Sequence, residues 1–272
     1  MSVPPASPHD GSPADVPTLE LRGVNKSFGV IQVLHDVAMK VYSGKVTALV
    51  GDNGAGKSTL IKSIAGIHGT DSGEFLFEGR PVQLGGPRVA AGLGIEVVYQ
   101  DLALADNLDV VQNMFLGRER KNGIVLDEAS MEQAAKETLT RLSVRTLKSV
   151  RQLVASLSGG QRQTVAIAKA VLWESKLVVL DEPTAALGVA QTRQVLDLVR
   201  RLADTGHAVV FISHNMIEVF EVADRVAALY LGRMAADIPI SEVNRSQVIE
   251  IITAGRSGDI GIAPSDVAAV EV

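Results

Sequence analysis

The apolar run KVTALV at residues 45–50 leads directly into Gly51, Asp52, Asn53, Gly54, Ala55, Gly56, Lys57 and Ser58. This segment fits the pattern G-x-x-x-x-G-K-[ST] at every fixed position. It constrains the fold because the pattern works only where a buried strand ends and a helix begins, here from about Thr59. The glycines let backbone N–H groups turn inward towards phosphate oxygens, and the helix adds the positive end of its dipole. Lys57 supplies a mobile charge for β and γ phosphates, Ser58 a hydroxyl for Mg²⁺, and Thr59 a hydroxyl within reach of an α phosphate. Without such a ligand, the segment would be a flexible glycine turn carrying an exposed lysine.

The surrounding pattern agrees with a strand–loop–helix setting. Alternating apolar segments at 18–24, 32–41 and 74–77, with no helical spacing between them, predict an antiparallel β portion. Compact apolar runs at 45–50, 94–99, 176–180, 208–213 and 225–231, some separated by helical stretches such as 189–203, predict a buried parallel sheet. Residues 101–155 are less strand-like, and 131–142 space their apolar side chains at helical intervals, which predicts a helical insert. The expectation is an α/β fold with a mainly parallel sheet, an N-terminal antiparallel β subdomain and a helical subdomain at about 101–160, all within 18–254.

Composition narrows the classes. With 46% hydrophobic and 21% charged residues, a 272-residue chain can bury a substantial core. Its 26 basic and 31 acidic residues leave a formal charge of -5, so no global positive field exists to hold nucleic acid, and no nucleic-acid partner is expected. The absence of cysteine excludes disulfides, thiolate metal sites and a cysteine nucleophile. No apolar run approaches the ~18 residues that would cross a bilayer. No Lys or Arg precedes Arg22, so a secretory signal is not expected and a cytoplasmic location is. Residues 1–17 hold five of the ten prolines and read as a disordered tail. Residues 255–272, a mixture of Gly, Ser, Pro and Asp with short apolar patches, read as a C-terminal tail.

Two further motifs carry chemistry. The run KLVVLDEPT places Asp181 and Glu182 where a buried strand emerges at its C-terminal edge, the place where α/β sheets bind ligands. Asp181 suits a magnesium shell, and Glu182 suits polarising a water for attack on a γ-phosphate. By themselves two carboxylates after a strand would be a cap or turn. Leu157, Ser158, Gly159, Gly160 and Gln161 open the helical stretch QRQTVAIAKAVL, putting Ser158 and two glycine amides at a positive dipole end, a second anion site. Taken alone, that segment would be a serine cap with a glycine entry.

Phosphate loop, LSGGQ and LDEPT together make residues 19–232 resemble the nucleotide-binding subunit of an ATP-binding cassette (ABC) transporter. The resemblance implies ATP and Mg²⁺ as cofactors. It matches Phe28, in KSFG, to the aromatic that stacks on adenine, and Gln100, in VVYQD, to the glutamine that touches Mg²⁺ and the attacking water. It matches His214, in FISHN, to the histidine that contacts the γ-phosphate and fixes Glu182. The implied catalytic set is Lys57, Gln100, Glu182 and His214, and the implied metal set is Ser58, Gln100 and Asp181. In this family the LSGGQ of one subunit closes over the ATP held by the other, so the active species is expected to be a homodimer.

Four residues after DEPT the family usually has aspartate, whereas this chain reads Ala185, Ala186, Leu187, Gly188. That AALG wording, with YQDLALADNLDVVQNMFLGRE and SHNMIEVFEVADRVAALYLGR, resembles the monosaccharide branch of carbohydrate importers, particularly single-cassette, fructose-type members. Many ribose, xylose and galactose relatives fuse two cassettes. The resemblance implies an ATPase driving monosaccharide import from the cytoplasmic face of a bacterial inner membrane. Its partners would be transmembrane permease subunits and, indirectly, an external sugar-binding protein. Two alternatives share the motifs. One is a soluble ABC ATPase of DNA repair or translation, which usually carries two cassettes, coiled coils or basic arms. The other is a nucleotide-gated module that barely hydrolyses ATP.

Overall fold

The computed structural model describes residues 16–144 and 146–263. Most of the expected N-terminal tail and the last nine residues lie outside this range. The chain opens with two long antiparallel strands, β1 (Leu19–Phe28) and β2 (Ile31–Val41), followed by β3 (Val46–Gly51) and α1 (Lys57–Ile64). Next come β4 (Ser72–Phe77), β5 (Arg80–Val82), α2 (Pro87–Gly92) and β6 (Ile95–Val98). The helical insert holds α3 (Val110–Phe115), a small hairpin of β7 (Lys121–Asn122) and β8 (Val125–Leu126), and α4 (Glu128–Arg141). Then follow α5 (Gly159–Val171), β9 (Leu177–Asp181), α6 (Val189–Asp204), β10 (Ala208–Ile212) and α7 (Met216–Val222). The described chain ends with β11 (Arg225–Tyr230), β12 (Arg233–Pro239), α8 (Arg245–Ala254), β13 (Arg256–Ser257) and β14 (Ile260–Gly261).

The strands form two principal sheets. An antiparallel sheet runs β2-β1-β4-β5, and a six-stranded sheet runs β12-β11-β3-β10-β9-β6. In the larger sheet β11, β3, β10, β9 and β6 are parallel, while β12 pairs antiparallel with β11 at one edge. The fold is therefore α/β with the expected antiparallel subdomain. The edge strands β5 and β12 were invisible as separate elements in the sequence, since β5 is three residues long and starts with exposed Arg80 and Pro81.

The continuous apolar runs are explained by burial on both faces. Along β3, Val46, Ala48 and Val50 pack into one core while Leu49 packs into the other. β10 divides likewise, Val209 and Phe211 on one side, Ala208, Val210 and Ile212 on the other. Alternate side chains of a strand point to opposite faces, so both faces of these strands are apolar apart from Thr47, which is itself fully buried. The first core lies under the helices, to which α6 contributes Val195, Leu196, Leu198, Val199, Leu202 and Ala203, spaced as one helical stripe. The second joins the parallel sheet to α1 and the antiparallel sheet.

The helical insert is fastened by charge as well as by packing. Asp109 caps α3 through a reciprocal box with Gln112, at 2.7 and 3.0 Å. Arg151 bridges from Asp109 (3.3 Å) to Glu128 (3.2 Å) and Glu132 (2.7 Å) on α4. Residues 255–263, expected to begin a tail, instead extend the folded part. β13 and β14 pair, and Ile260 and Ile262 pack against the helix-covered core. Two-residue strands are too short to leave a periodic signal, which is why this hairpin was not legible.

Phe211 is fully buried at the centre of the parallel sheet. Phe211→Ala is expected to cost about 3–5 kcal/mol, read as a lower urea midpoint with an unchanged denaturant slope.

Candidate functional site

The parallel register brings four loops to one sheet edge. β10 aligns Phe211 and Ile212 with Ala48 and Leu49 of β3 on one side and with Leu180 and Asp181 of β9 on the other, and β6 aligns Val98 with Leu180. The glycine loop after β3, Asp181–Glu182 at the end of β9, Ser213–His214 after β10 and Gln100 after β6 consequently emerge together. Such a carboxyl-end crevice is where open α/β sheets bind ligands.

The loop's glycines are required by its path. A Cβ on Gly51 would stand 2.4 Å from the Leu229 carbonyl oxygen. Gly56, the residue before α1, has φ 102° and ψ 0°, a left-handed conformation that a side chain resists. Asp52 steadies the turn, its carboxylate accepting from the Asn53 N–H at 2.7 Å and its carbonyl from the Ala55 N–H at 3.1 Å. Lys57 curls over the loop and donates to the carbonyls of Gly51 (2.7 Å) and Asp52 (3.0 Å).

A cavity of about 340 Å³ lies against this loop. Asn53, Gly54, Ala55, Gly56, Lys57, Ser58 and Thr59 line one side, and Gln100, Asp181 and Glu182 line the other, closed by Val33 and Ile212. Gly51 and Asp52 form the loop's base without lining it. Burial lowers the Lys57 ammonium's pKa, while the charges of Glu182, Asp52 and Asp181 pull it back up. Burial pushes the Asp181 carboxyl up, the Glu182 charge adds to this, and Lys57 and Lys62 oppose it. The cavity thus crowds charge that water no longer fully screens.

Glu182 is held in a left-handed conformation, φ 47°, with its N–H donating to the Ile212 carbonyl at 3.0 Å. Its carboxylate Oε1 stands 3.2 Å from His214 Nδ1. A non-glycine residue kept in this region is a strain that surrounding contacts must over-determine, and such residues cluster at functional sites. His214 is outside the cavity lining but touches it through Glu182, its own side chain being 75% exposed.

Besides Gly51, Asp52 and His214, two further sets of candidate residues are not brought to the cavity lining. Phe28, at the end of β1, is exposed; its ring meets His68 edge-on at 5.2 Å and carries Lys26 Nζ at 5.2 Å from its centroid. Ser158, Gly159, Gly160 and Gln161 open α5, where Ser158 acts as a helix cap. Its hydroxyl accepts from the Gln161 N–H at 3.3 Å, and the Gln161 side chain accepts from the Ser158 N–H at 2.9 Å. The motif's glycines also meet a packing demand, since a Cβ on Gly160 would stand 3.0 Å from Gln191 Cβ and one on Gly159 3.1 Å from Leu187 Cδ2. Sequence reasoning missed Val33 and Ile212, which have no signal beyond strand membership.

Residues 34–185 match the ABC transporter family. The chain is 44% identical over 244 residues to the xylose/arabinose import ATP-binding protein XylG of Sulfolobus acidocaldarius, covering 90% of this chain and 97% of that protein. It is also 44% identical over 250 residues to the fructose import ATP-binding protein FrcA of Rhizobium meliloti, covering 89% and 96%. Against the ribose import ATP-binding protein RbsA of Yersinia pestis it is 40% identical, spanning 90% of this chain but 48% of the longer protein. Among solved structures, a nucleotide-free ATP-binding cassette from an ABC transporter superposes with a TM-score of 0.75 at 24% identity, over 94% of this chain and 99% of that one. The cbiO1 protein of Clostridium perfringens, part of the ABC transporter complex cbiONQ, gives 0.74 at 25% identity, over 95% and 100%. A phosphate-loop ATPase is the class that fold and cavity define. Within it, the chain belongs to the ABC transporter family, as an ATP-binding, ATP-hydrolysing member.

The raised Asp181 carboxyl has a consequence for stability. A group whose folded pKa lies above its unfolded value stabilises below the unfolded value, and that contribution is lost as pH rises through the folded one. The ionised carboxylate therefore strains the nucleotide-free protein at neutral pH. Asp181→Asn is expected to raise the thermal midpoint of that form by a few degrees at pH 7, with the gain vanishing below the usual carboxylate range. Thermal scans from pH 3 to 8 check this.

Proposed function

We propose that the chain is the ATPase subunit of an importer that takes up a monosaccharide through a membrane permease. The observation that supports this most is identity of 44%, over nearly the whole length of each, to two proteins named for sugar import. The four converging loops supply the chemistry that such a role needs. A repair or translation ATPase has no comparable support, and among the described residues no helix is long and apolar enough to cross a membrane, which suits a subunit that works against a separate permease.

In this reading, the backbone N–H groups of 53–57 cradle the phosphates and Lys57 moves from its carbonyl partners to the β and γ oxygens. Thr59 reaches the α phosphate, and Phe28 offers a ring face to adenine. The Ser58 hydroxyl, the Gln100 side-chain carbonyl and the Asp181 carboxylate are hard oxygen donors on one cavity, a set that fits Mg²⁺. Bound there, Mg²⁺ neutralises charge on the phosphates. Glu182 takes a proton from the water whose oxygen bonds to the γ-phosphorus, as the bond to the bridging oxygen breaks and ADP leaves. His214 orients Glu182 and faces the γ-phosphate.

Ser158 to Gln161 stand outside the cavity because they serve the ATP held by a second copy, which makes the working unit a homodimer. The helical insert docks transmembrane permease subunits on the cytoplasmic face of the membrane, and an external sugar-binding protein acts on the complex indirectly.

Glu182→Gln keeps the shape of the site but removes the base. It is expected to retain ATP affinity while steady-state hydrolysis falls by about 10²–10⁴-fold. Unchanged turnover would remove Glu182 from the catalytic role. Mild detergent extraction of the tagged chain is expected to recover a polytopic membrane protein, with sugar-stimulated ATPase in the recovered complex. Recovery with ribosomes or DNA instead would overturn the importer reading.

A further inference from the structure

Behind the Glu182–His214 pair lies a carboxylate that no motif singled out. Glu218, on α7, is 9% exposed, a degree of burial that a carboxylate tolerates only when its oxygens are well partnered. Its Oε2 accepts from the Thr184 hydroxyl at 2.6 Å and from the Ser213 hydroxyl at 3.0 Å, and its Oε1 accepts from the Asn215 side-chain amide at 3.0 Å. The donors sit where they matter. Thr184 follows Glu182 by two residues, while Ser213 and Asn215 flank His214.

The cluster is locked at its other bonds too. Ser213 Oγ, having given its proton to Glu218, accepts from the Asn215 N–H at 3.0 Å. Asn215 Oδ1 accepts from the Ile217 N–H at 3.0 Å and so caps α7. The Asn215 amide is thereby oriented with its NH₂ towards Glu218. Three neutral donors aimed at one carboxylate require a group that accepts on both oxygens, which glutamate does and glutamine does not.

We propose that Glu218 is a positioning residue for hydrolysis: it straps the loop after β9 to the loop after β10 and thereby holds Glu182 against His214. The left-handed backbone of Glu182 gives such a strap a segment to steady. Backbone bonds hold its φ of 47° locally, the Glu182 N–H donating to the Ile212 carbonyl at 3.0 Å and the Glu182 carbonyl accepting from the Ala185 N–H at 3.1 Å, but they do not reach His214 or its neighbours. Thr184, through Glu218, ties this segment to Ser213 and Asn215 on either side of His214. The proposal rests on Glu182 acting as the base, and the test below separates the two.

The full chain, purified with the partners it carries from the cell, is compared as wild type, Glu218→Gln, Thr184→Val, Thr184→Ser, Glu182→Gln and the double variant Glu182→Gln/Glu218→Gln. The measurements are kcat, KM for ATP, affinity for a fluorescent ATP analogue and the unfolding midpoint. Glu218→Gln sets an amide donor against one of the donors, and Thr184→Val removes a hydroxyl at nearly constant volume. Each is expected to lower kcat roughly ten- to a hundredfold, while KM and nucleotide affinity stay within about threefold. Thr184→Ser, which keeps the hydroxyl, is expected to hold wild-type turnover. The double variant is expected to lose no more than Glu182→Gln alone, because Glu218 acts only through Glu182. Wild-type kcat in both Glu218→Gln and Thr184→Val, loss in KM or affinity rather than kcat, or additive losses in the double variant would each overturn the strap. Undiminished turnover in Glu182→Gln would overturn the base assignment instead. Should Glu218→Gln fail to fold, Thr184→Val against Thr184→Ser decides alone.

Discussion

The parallel pairing of β3, β10, β9 and β6 is the constraint on which the rest of the molecule depends. Because Ile212 is in register with both Leu49 and Asp181, the residues that follow β3 and β10 and the end of β9 leave the sheet at one level. A slip of one residue in any pair would send its side chains to the opposite face and bury what is now the cavity wall. The two cores resist such a slip, since each strand divides its residues between a helix-covered face and one that meets the antiparallel sheet.

That framework holds a local arrangement which would be unfavourable elsewhere. Lys57, Asp181 and Glu182 share a partly desolvated cavity in which burial lowers the lysine's pKa and raises that of Asp181. Glu182 adopts a left-handed backbone, and Gly51 exists because the Leu229 carbonyl leaves no room for a Cβ. These features oppose stability locally and suit a site prepared for phosphate charge. Lys57, resting on two carbonyls, has partners without a ligand and is free to exchange them for stronger ones.

LSGGQ has two physical demands on the same residues. Within the chain, Ser158 caps α5 and Gly160 lets α5 approach Gln191 at the start of α6, so the motif would be needed for packing even without a nucleotide. Its amides stay at a helix N-terminus outside the chain's own cavity lining, the placement that the proposed homodimer requires. The AALG segment lies against this same junction through Leu187, with Ala186 at φ 60°.

Much of the architecture was legible in residues alone. The strand before Gly51, the run ending in Asp181 and the stripe of α6 follow from two-sided burial and helical spacing, local properties that a sequence records directly. The phosphate loop was legible because its chemistry needs glycine, lysine and a hydroxyl at set intervals in one segment. The hairpin after α8 and the edge strands β5 and β12 were not, since β5, β13 and β14 are two or three residues long and β12 buries only the adjacent Ala235 and Ala236, which leaves no alternation. Nor were Val33, Ile212 and Glu218, because contacts between distant segments depend on which strands become neighbours and in what register. Local pattern therefore identified the groups proposed to bind phosphate and hold a water. That Glu182 faces His214 from a left-handed backbone, with Glu218 behind them joining two loops, follows from β9 and β10 pairing in parallel and from nothing local to either.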